Sequence, residues 1–376
     1  MRYKGKLIRV AVITAVVALL LVPLVTKNHI YNSVTMAPDA TNTFMPIINE
    51  VVNGASFSYL AEKTPYLGLT ITLWCLSMLV KVLQVSPHTL FMIYALVTLF
   101  GVGITFYCLG KLLGGKRTGC LVVVFALLCN TSILGLFAYA LIFNIINVYI
   151  IFLWAVIAGI KWQEKHHWYW LALSCTMLLL FITMHPTGVY LFCALLVAGV
   201  SFVVWHLCRY RKINWLYVGI GLVATALVVG LASGVIELMA WRIPIELMAW
   251  RINDWGEYRQ YLVASLYFIL QPVPTVIWIL TLVGFLRYRK TLEWSRSVKL
   301  VIAILGSIVA VLLGASFLWV IEYTDRLMVD AGAMLSIIVA IVLGQLIKRD
   351  ELKWLKVSSY ALFSLAGLMT LQRWVV

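Results

Sequence analysis

Residues 31–54 read YNSVTMAPDATNTFMPIINEVVNG. Asp39 comes first, followed by an apolar stripe at Phe44, Ile47, Ile48, Val51 and Val52. That i, i+3, i+4, i+7, i+8 spacing is one face of a helix. Asn42, Asn49, Glu50 and Asn53 fall off the stripe. Thr43 can cap the start, and Gly54 suits the end. The stretch predicts a short amphipathic juxtamembrane helix lying flat on a bilayer, with the Asp39 carboxylate just before it. An ordinary surface loop with a solvated Asp39 is the plainer alternative.

Apolar runs lie on both sides of this stretch and recur along the whole chain. The 376 residues are 63% hydrophobic and 11% charged, with mean hydropathy +1.00. A soluble domain is nearer half apolar and a quarter charged, so the composition predicts a polytopic membrane protein. The formal net charge is +15, but Lys and Arg gather in short turns between apolar runs. That is the positive-inside pattern, not a nucleic-acid surface. The seven Cys are scattered, most of them inside apolar runs, and no CxxC occurs. Neither a metal knuckle nor a disulfide framework is expected.

The basic start MRYKGK and Arg9 predict a cytoplasmic N-terminus and a first span at 7–25 running outward. No small-residue cleavage site follows cleanly, so this segment is expected to be retained. Residues 26–66 form the first outer loop. Apolar sequence fills 67–110, broken at Ser86, Pro87 and His88. Further spans are expected near 118–136, 141–160, 169–184, 188–206, 215–235, 261–286, 299–320, 327–347 and 357–371. The fold expected is an all-α bundle of about 10–12 transmembrane helices forming a single domain, 1–376. One conflict stands. Two full crossings between 67 and 110 would put Lys111, Lys116 and Arg117 outside. Either that region crosses an odd number of times or the charge rule breaks there. PVP at 272–274 is the strong break within a predicted span. A direct repeat, IELMAWRIP then IELMAWRIN, fills 236–253 within the outer stretch 236–260. Nine residues place the second copy on the opposite helix face, so a local duplication explains it better than a paired site.

Ionisable groups at membrane depth are the places to look for chemistry. Asp39 is one. His185, in MHPTG, ends a span before a helix-breaking Pro; its plainer role is a hydrogen bond at the span end. In WVIEYTDRLMVD, 319–330, Arg326 offers a fixed fork of donors to a phosphate. Asp330 lies at i+4, so it can pair with Arg326 or orient it. Glu322 and Asp325 flank Arg326. Asp254, Glu257 and Arg259 precede another span and can line the same cavity or stay solvated. These groups suggest attack on a phosphate-bearing lipid at the membrane surface, with an acid as base and a cation on the leaving phosphate. There is no P-loop, no GxGxxG opening a helix, no HExxH and no GxSxG, which argues against nucleotide, dinucleotide, zincin and α/β-hydrolase chemistry.

The order of these features resembles the integral-membrane C-type glycosyltransferases (the GT-C superfamily), which include the protein O-mannosyltransferases and the lipid A aminoarabinose transferase. Four stretches carry the resemblance. They are Asp39 with its helix and TPYLGLTITLW; LGKLLGGKRTGCLVVVFALLCNTS at 109–132; the span ending in MHPTG; and EYTDRLMVDAGAMLSIIVAIVLG at 322–344. The resemblance implies an inverting hexosyl- or pentosyltransferase of the cytoplasmic membrane, acting on its outer face. It would use a polyprenyl-phosphate sugar donor and a glycan, lipid or protein acceptor. It implies Asp39 as catalytic base and Arg326 as phosphate ligand. His185, Glu322, Asp325 and Arg259 would line the substrate site. Many members carry a second acidic residue in the next outer loop, where FAYALIFNIINVY has none, so no metal ligand is assigned and a divalent metal is not supported. No large soluble C-terminal domain follows, so acceptor recognition would fall to the membrane domain or a partner. A lipid-linked-sugar flippase or transporter, and a polysaccharide polymerase or ligase using Arg242, Arg251 and Arg259, are the alternative readings.

Overall fold

The computed structural model describes residues 44–64, 67–129, 143–184, 272–292, 294–318, 324–349 and 352–375, with isolated positions at 188, 191, 192, 195, 196 and 200. All regular structure in these segments is helical. Two short helices come first, α1 (Met45–Val52) and α2 (Phe57–Lys63). They are followed by α3 (Leu67–Leu83) and α4 (Pro87–Gly114). Helix α5 (Lys116–Val123) runs on into a π-helical turn, Val124–Cys129. Then come α6 (Phe143–Lys165), α7 (Trp168–Met184), α8 (Pro272–Tyr288), α9 (Arg296–Leu318), α10 (Thr324–Leu346) and α11 (Lys353–Val375).

The amphipathic stripe forms the predicted helix, α1, and buries Ile47, Ile48 and Val51. That face packs against α3, so it meets protein instead of lying on a lipid surface. Phe44 takes the N-cap position with no side-chain cap bond, and Pro46 in the first turn fixes φ there. Thr43, the expected cap, lies outside the described residues. Gly54 follows at φ 113, a conformation that only a residue without a Cβ takes easily.

The predicted break at Ser86 and Pro87 is a helix start. Ser86 Oγ accepts from Thr89 N at 3.1 Å, and Pro87 stands in the first turn of α4. PVP at 272–274 stands in the first described turn of α8, and the residues before it lie outside the described ones.

Basic residues mark one pole of the bundle. Gln345 Nε2 of α10 donates to the Leu113 carbonyl at the end of α4 (3.4 Å). Arg349, just past α10, donates to the Thr291 carbonyl beyond α8 and lies over the Tyr288 ring. Lys111, Lys116, Arg117, Arg287, Arg289, Lys290 and Arg296 therefore share a pole with Lys348 and Arg349. The other half of the bundle is fixed by Gly101 of α4, which faces Ile150 near the start of α6. From Pro87 to Gly101 is about 20 Å of helix, so α4 overshoots that level. Helix α3 begins at that level, with Gly68 against Met184, and runs out to the overshooting tip. Between 67 and 114 the chain thus traverses the bundle once, along α4.

The basic pole is closed by small residues. Thr118 is fully buried, and its hydroxyl donates to the Gly114 carbonyl at 3.1 Å. A Cβ on Gly344 would lie 2.6 Å from Thr118 Oγ1 and 2.8 Å from its Cγ2. A Cβ on Gly110 would lie 2.8 Å from Gly119 Cα. Helices α4, α5 and α10 can cross this closely only because those positions carry no side chain. The π turn that follows packs on α10 and α11, where Phe125 meets Phe363 edge-on at 5.7 Å.

Gly344→Ala is expected to cost about 1–3 kcal/mol by overpacking. Thr118→Ala in the same chain should recover part of that loss. Gly306→Ala, where a new Cβ meets nothing within 4 Å, should be neutral or stabilising. Thermal unfolding in detergent ranks the variants; equal behaviour of the Gly344 and Gly306 changes would refute the crossing.

Candidate functional site

Asp330 is the seventh residue of α10, in TDRLMVDAGAM. Its neighbours Ala331, Gly332 and Ala333 are small and let other helices come close. Asp330 is 2% exposed, and Tyr149 of α6 is 1% exposed. The Tyr149 hydroxyl donates to Asp330 Oδ1, joining residues 181 apart in sequence. Phe152 and Leu153, one turn on from Tyr149 along α6, are buried and apolar. A carboxylate so enclosed is tolerable only where something donates to it. Tyr149 supplies a donor to one of its oxygens and ties α6 to α10.

Arg326 stands one turn before Asp330, in the first turn of α10, and Asp325 precedes it. By helix geometry the Arg326 backbone is about 6 Å closer to the end away from the basic pole, on the Asp330 face. Asp39, His185, Glu322 and Arg259 lie outside the described residues. Met184, the residue before His185, ends α7 against Gly68. Arg326 and Asp325 are therefore placed together on one helix end, beside the start of α6.

Tyr149 was not singled out by sequence reasoning. It sits at the edge of FAYALIFNIINVY, the stretch that lacks the expected second acid. The signal was a hydroxyl in an otherwise apolar run, NVYIIFLW, and it gains meaning only once Asp330 is seen opposite. Among the described residues no three His, Cys, Asp or Glu side chains cluster as a metal would require.

A second polar contact ties the short helices. The Tyr59 hydroxyl donates to Glu50 Oε2 at 2.6 Å, and Lys63 Nζ lies 5.6 Å from the Tyr59 ring centre. The bond to Glu50 is the main cause that raises the Tyr59 phenol above its ordinary 10.0, because ionisation would lose the bond. Behind it, Thr64 Oγ1 donates to the Leu60 carbonyl at 2.8 Å and lies 2.6 Å from Thr70 Oγ1, fixing the corner between α2 and α3.

No family model, curated protein or solved structure matches this chain.

Tyr149→Phe should destabilise the protein by roughly 1–3 kcal/mol, because the Asp330 carboxylate loses a donor it cannot replace from water. A double-mutant cycle with Asp330→Leu should show the Tyr149 effect largely gone once the carboxylate is removed. Additive losses would break the assignment. For Tyr59, a folded pKa above the unfolded one means the bond contributes below the ordinary phenol range. That contribution is lost as pH rises through the folded value. Fluorine NMR of fluorotyrosine-labelled protein should place the Tyr59 midpoint above that of the free labelled amino acid and show Glu50→Gln lowering it; no movement on that substitution would discount the bond.

Proposed function

We propose that this chain is a polytopic membrane glycosyltransferase that moves a sugar from a polyprenyl-phosphate donor to an acceptor hydroxyl. Membrane residence is supported by polarity that runs inside out. On α8 the exposed face is Val276, Ile279, Leu282, Val283 and Leu286, while the buried face carries Thr281. A water-facing helix has the reverse arrangement. One helical segment, Arg296–Gly314, is long and apolar enough to cross a bilayer by length and composition, at mean hydropathy 2.4 over 19 residues. Leu67–Leu83, Phe100–Gly114, Trp168–Phe181, Thr275–Tyr288 and Asp330–Leu346 are shorter apolar helices. The 28 residues of α4 span about 42 Å, more than a hydrocarbon core. A single traverse along α4 also removes the parity conflict, since it leaves Lys111, Lys116 and Arg117 with the other basic turns. By the positive-inside pattern that pole is cytoplasmic.

The observation that carries the catalytic reading is the Tyr149–Asp330 bond one helical turn inside Arg326. A guanidinium has five donors. A carboxylate held in place at i+4 can engage some of them and steer the rest outward, toward a phosphate. In the transfer, the acceptor oxygen attacks the anomeric carbon as its proton passes to Asp39. The bond from that carbon to the donor phosphate breaks, and the phosphate leaves with the electron pair, its new charge met by Arg326. A single displacement of this kind inverts the anomeric centre. Glu322, Asp325, His185 and Arg259 are assigned to holding the sugar and acceptor.

The experiment is transfer of label from a polyprenyl-phosphate hexose to membrane acceptors in vesicles bearing the full chain. Asp39→Asn should lower turnover about a hundredfold or more. Arg326→Ala should weaken donor use, seen as a raised KM for the donor. Label crossing the bilayer without transfer would replace the enzyme with a transporter, and full activity in Asp39→Asn would remove the base.

A further inference from the structure

Helices α8 and α11 run antiparallel from the basic pole. A Cβ on Gly284, near the end of α8, would lie 3.3 Å from Leu355 Cδ2, near the start of α11. Moving away from that pole, the buried face of α8 next presents Thr281, and the buried face of α11 next presents Ser359. These steps are about 4.5 Å and 6 Å along the two helices, so both hydroxyls come to one level of the seam. Each residue is 2% exposed, and neither hydroxyl has a hydrogen-bond partner. Trp278 Nε1, one turn on along α8, is also buried and also without a partner.

Elsewhere in the bundle helix hydroxyls are satisfied locally. Thr72, Ser77, Thr98, Thr105, Thr118 and Ser336 each donate to the carbonyl four residues earlier. Thr281 and Ser359 do not. A buried polar group without a partner is costly, so Thr281 and Ser359 at one level of the seam call for a shared one.

The seam also limits the chemistry of that partner. Hydroxyls donate and accept, whereas the indole only donates. Ile277 and Gly284 on α8, and Leu352, Leu355 and Phe363 on α11, complete the buried faces and carry no charge. A phosphate or a cation would be left uncompensated there. The geometry points to a binding site for a neutral hydroxyl-bearing ligand in the α8–α11 seam. Water is its smallest occupant and a sugar hydroxyl the larger one. The site rests on the membrane reading of the bundle and is independent of glycosyl transfer.

Cysteine accessibility tests it in membrane vesicles. Thiol-selective methanethiosulfonates react with the thiolate, which forms in a hydrated setting and not in a dry apolar one. In the full chain with its seven native Cys replaced, Thr281→Cys and Ser359→Cys should label about tenfold or more faster than Ile277→Cys and Leu355→Cys. Slowing by high glucose would identify a sugar hydroxyl as occupant, and an unchanged rate would identify water. Equal labelling at all four positions, or none at any, would overturn the site. In the native background, Thr281→Val and Ser359→Ala should lower Tm, because each removes a ligand contact. A rise in Tm for both would mean that the hydroxyls hold nothing, and would overturn the site even if the cysteine-free chain failed to fold.

Discussion

A carboxylate at 2% exposure has to be answered by a donor, and in this protein the answer comes from another helix. Tyr149 reaches Asp330 from α6, and that bond joins α6 to α10. Other contacts extend from that junction. Ile150, the next residue on α6, meets Gly101 of α4, so α4 is drawn to the same level. Helix α7 packs back along α6, with Ser174 Oγ donating to the Ala155 carbonyl at 2.9 Å, and its last residue reaches Gly68 of α3. The first turn of α10, with Arg326, is thereby held over a structured floor.

The two ends of the bundle are built on different physics. Near Asp330 the helices are joined by a specific polar bond. At the basic pole they are joined by the absence of side chains, where Gly110, Gly114 and Gly344 crowd around Thr118. Close backbone approach favours dispersion contacts, which on the membrane reading proposed above are what hold helices together. A tight, apolar crossing tolerates no added methyl group, while a polar bond tolerates no lost donor. The chain therefore has one pole sensitive to gain of volume and one sensitive to loss of chemistry. The predicted site lies at the second.

Much of the helix layout was legible in the sequence because apolar runs and their punctuation are local signals. Ser86 followed by Pro87 reads as a cap and first turn at any distance from the core, and the structure uses it so. The stripe from Phe44 to Val52 was legible for the same reason. What it packs on was not: an amphipathic face looks the same to lipid and to α3, since both are apolar. The parity of crossings was illegible because it depends on where α4 lies relative to α6 and α10, which no run of residues states. The same limit applies to the site. Arg326 and Asp330 could be seen as i, i+4 neighbours on one helix. Tyr149 is 181 residues away, and only the fold makes it a partner. Asp39, His185, Glu322 and Arg259 rest on the sequence alone.

Inverted polarity ties these strands together. A helix whose outer face is Val276, Ile279, Leu282, Val283 and Leu286 gains nothing from water on that side. Its polar atoms must be spent inward, and an inward hydroxyl costs energy unless something meets it. In α10 one Asp330 carboxylate oxygen is met by Tyr149, and the Ser336 hydroxyl by the Gly332 carbonyl. In α8 the inward Thr281 hydroxyl is not met by the protein. Both helices run the same way from the same pole, with Leu346 of α10 as well as Leu355 of α11 beside Gly284. The bundle thus holds one helix whose buried carboxylate is answered from across the fold by Tyr149 and, packed against it, one whose buried Thr281 hydroxyl has no partner within the chain.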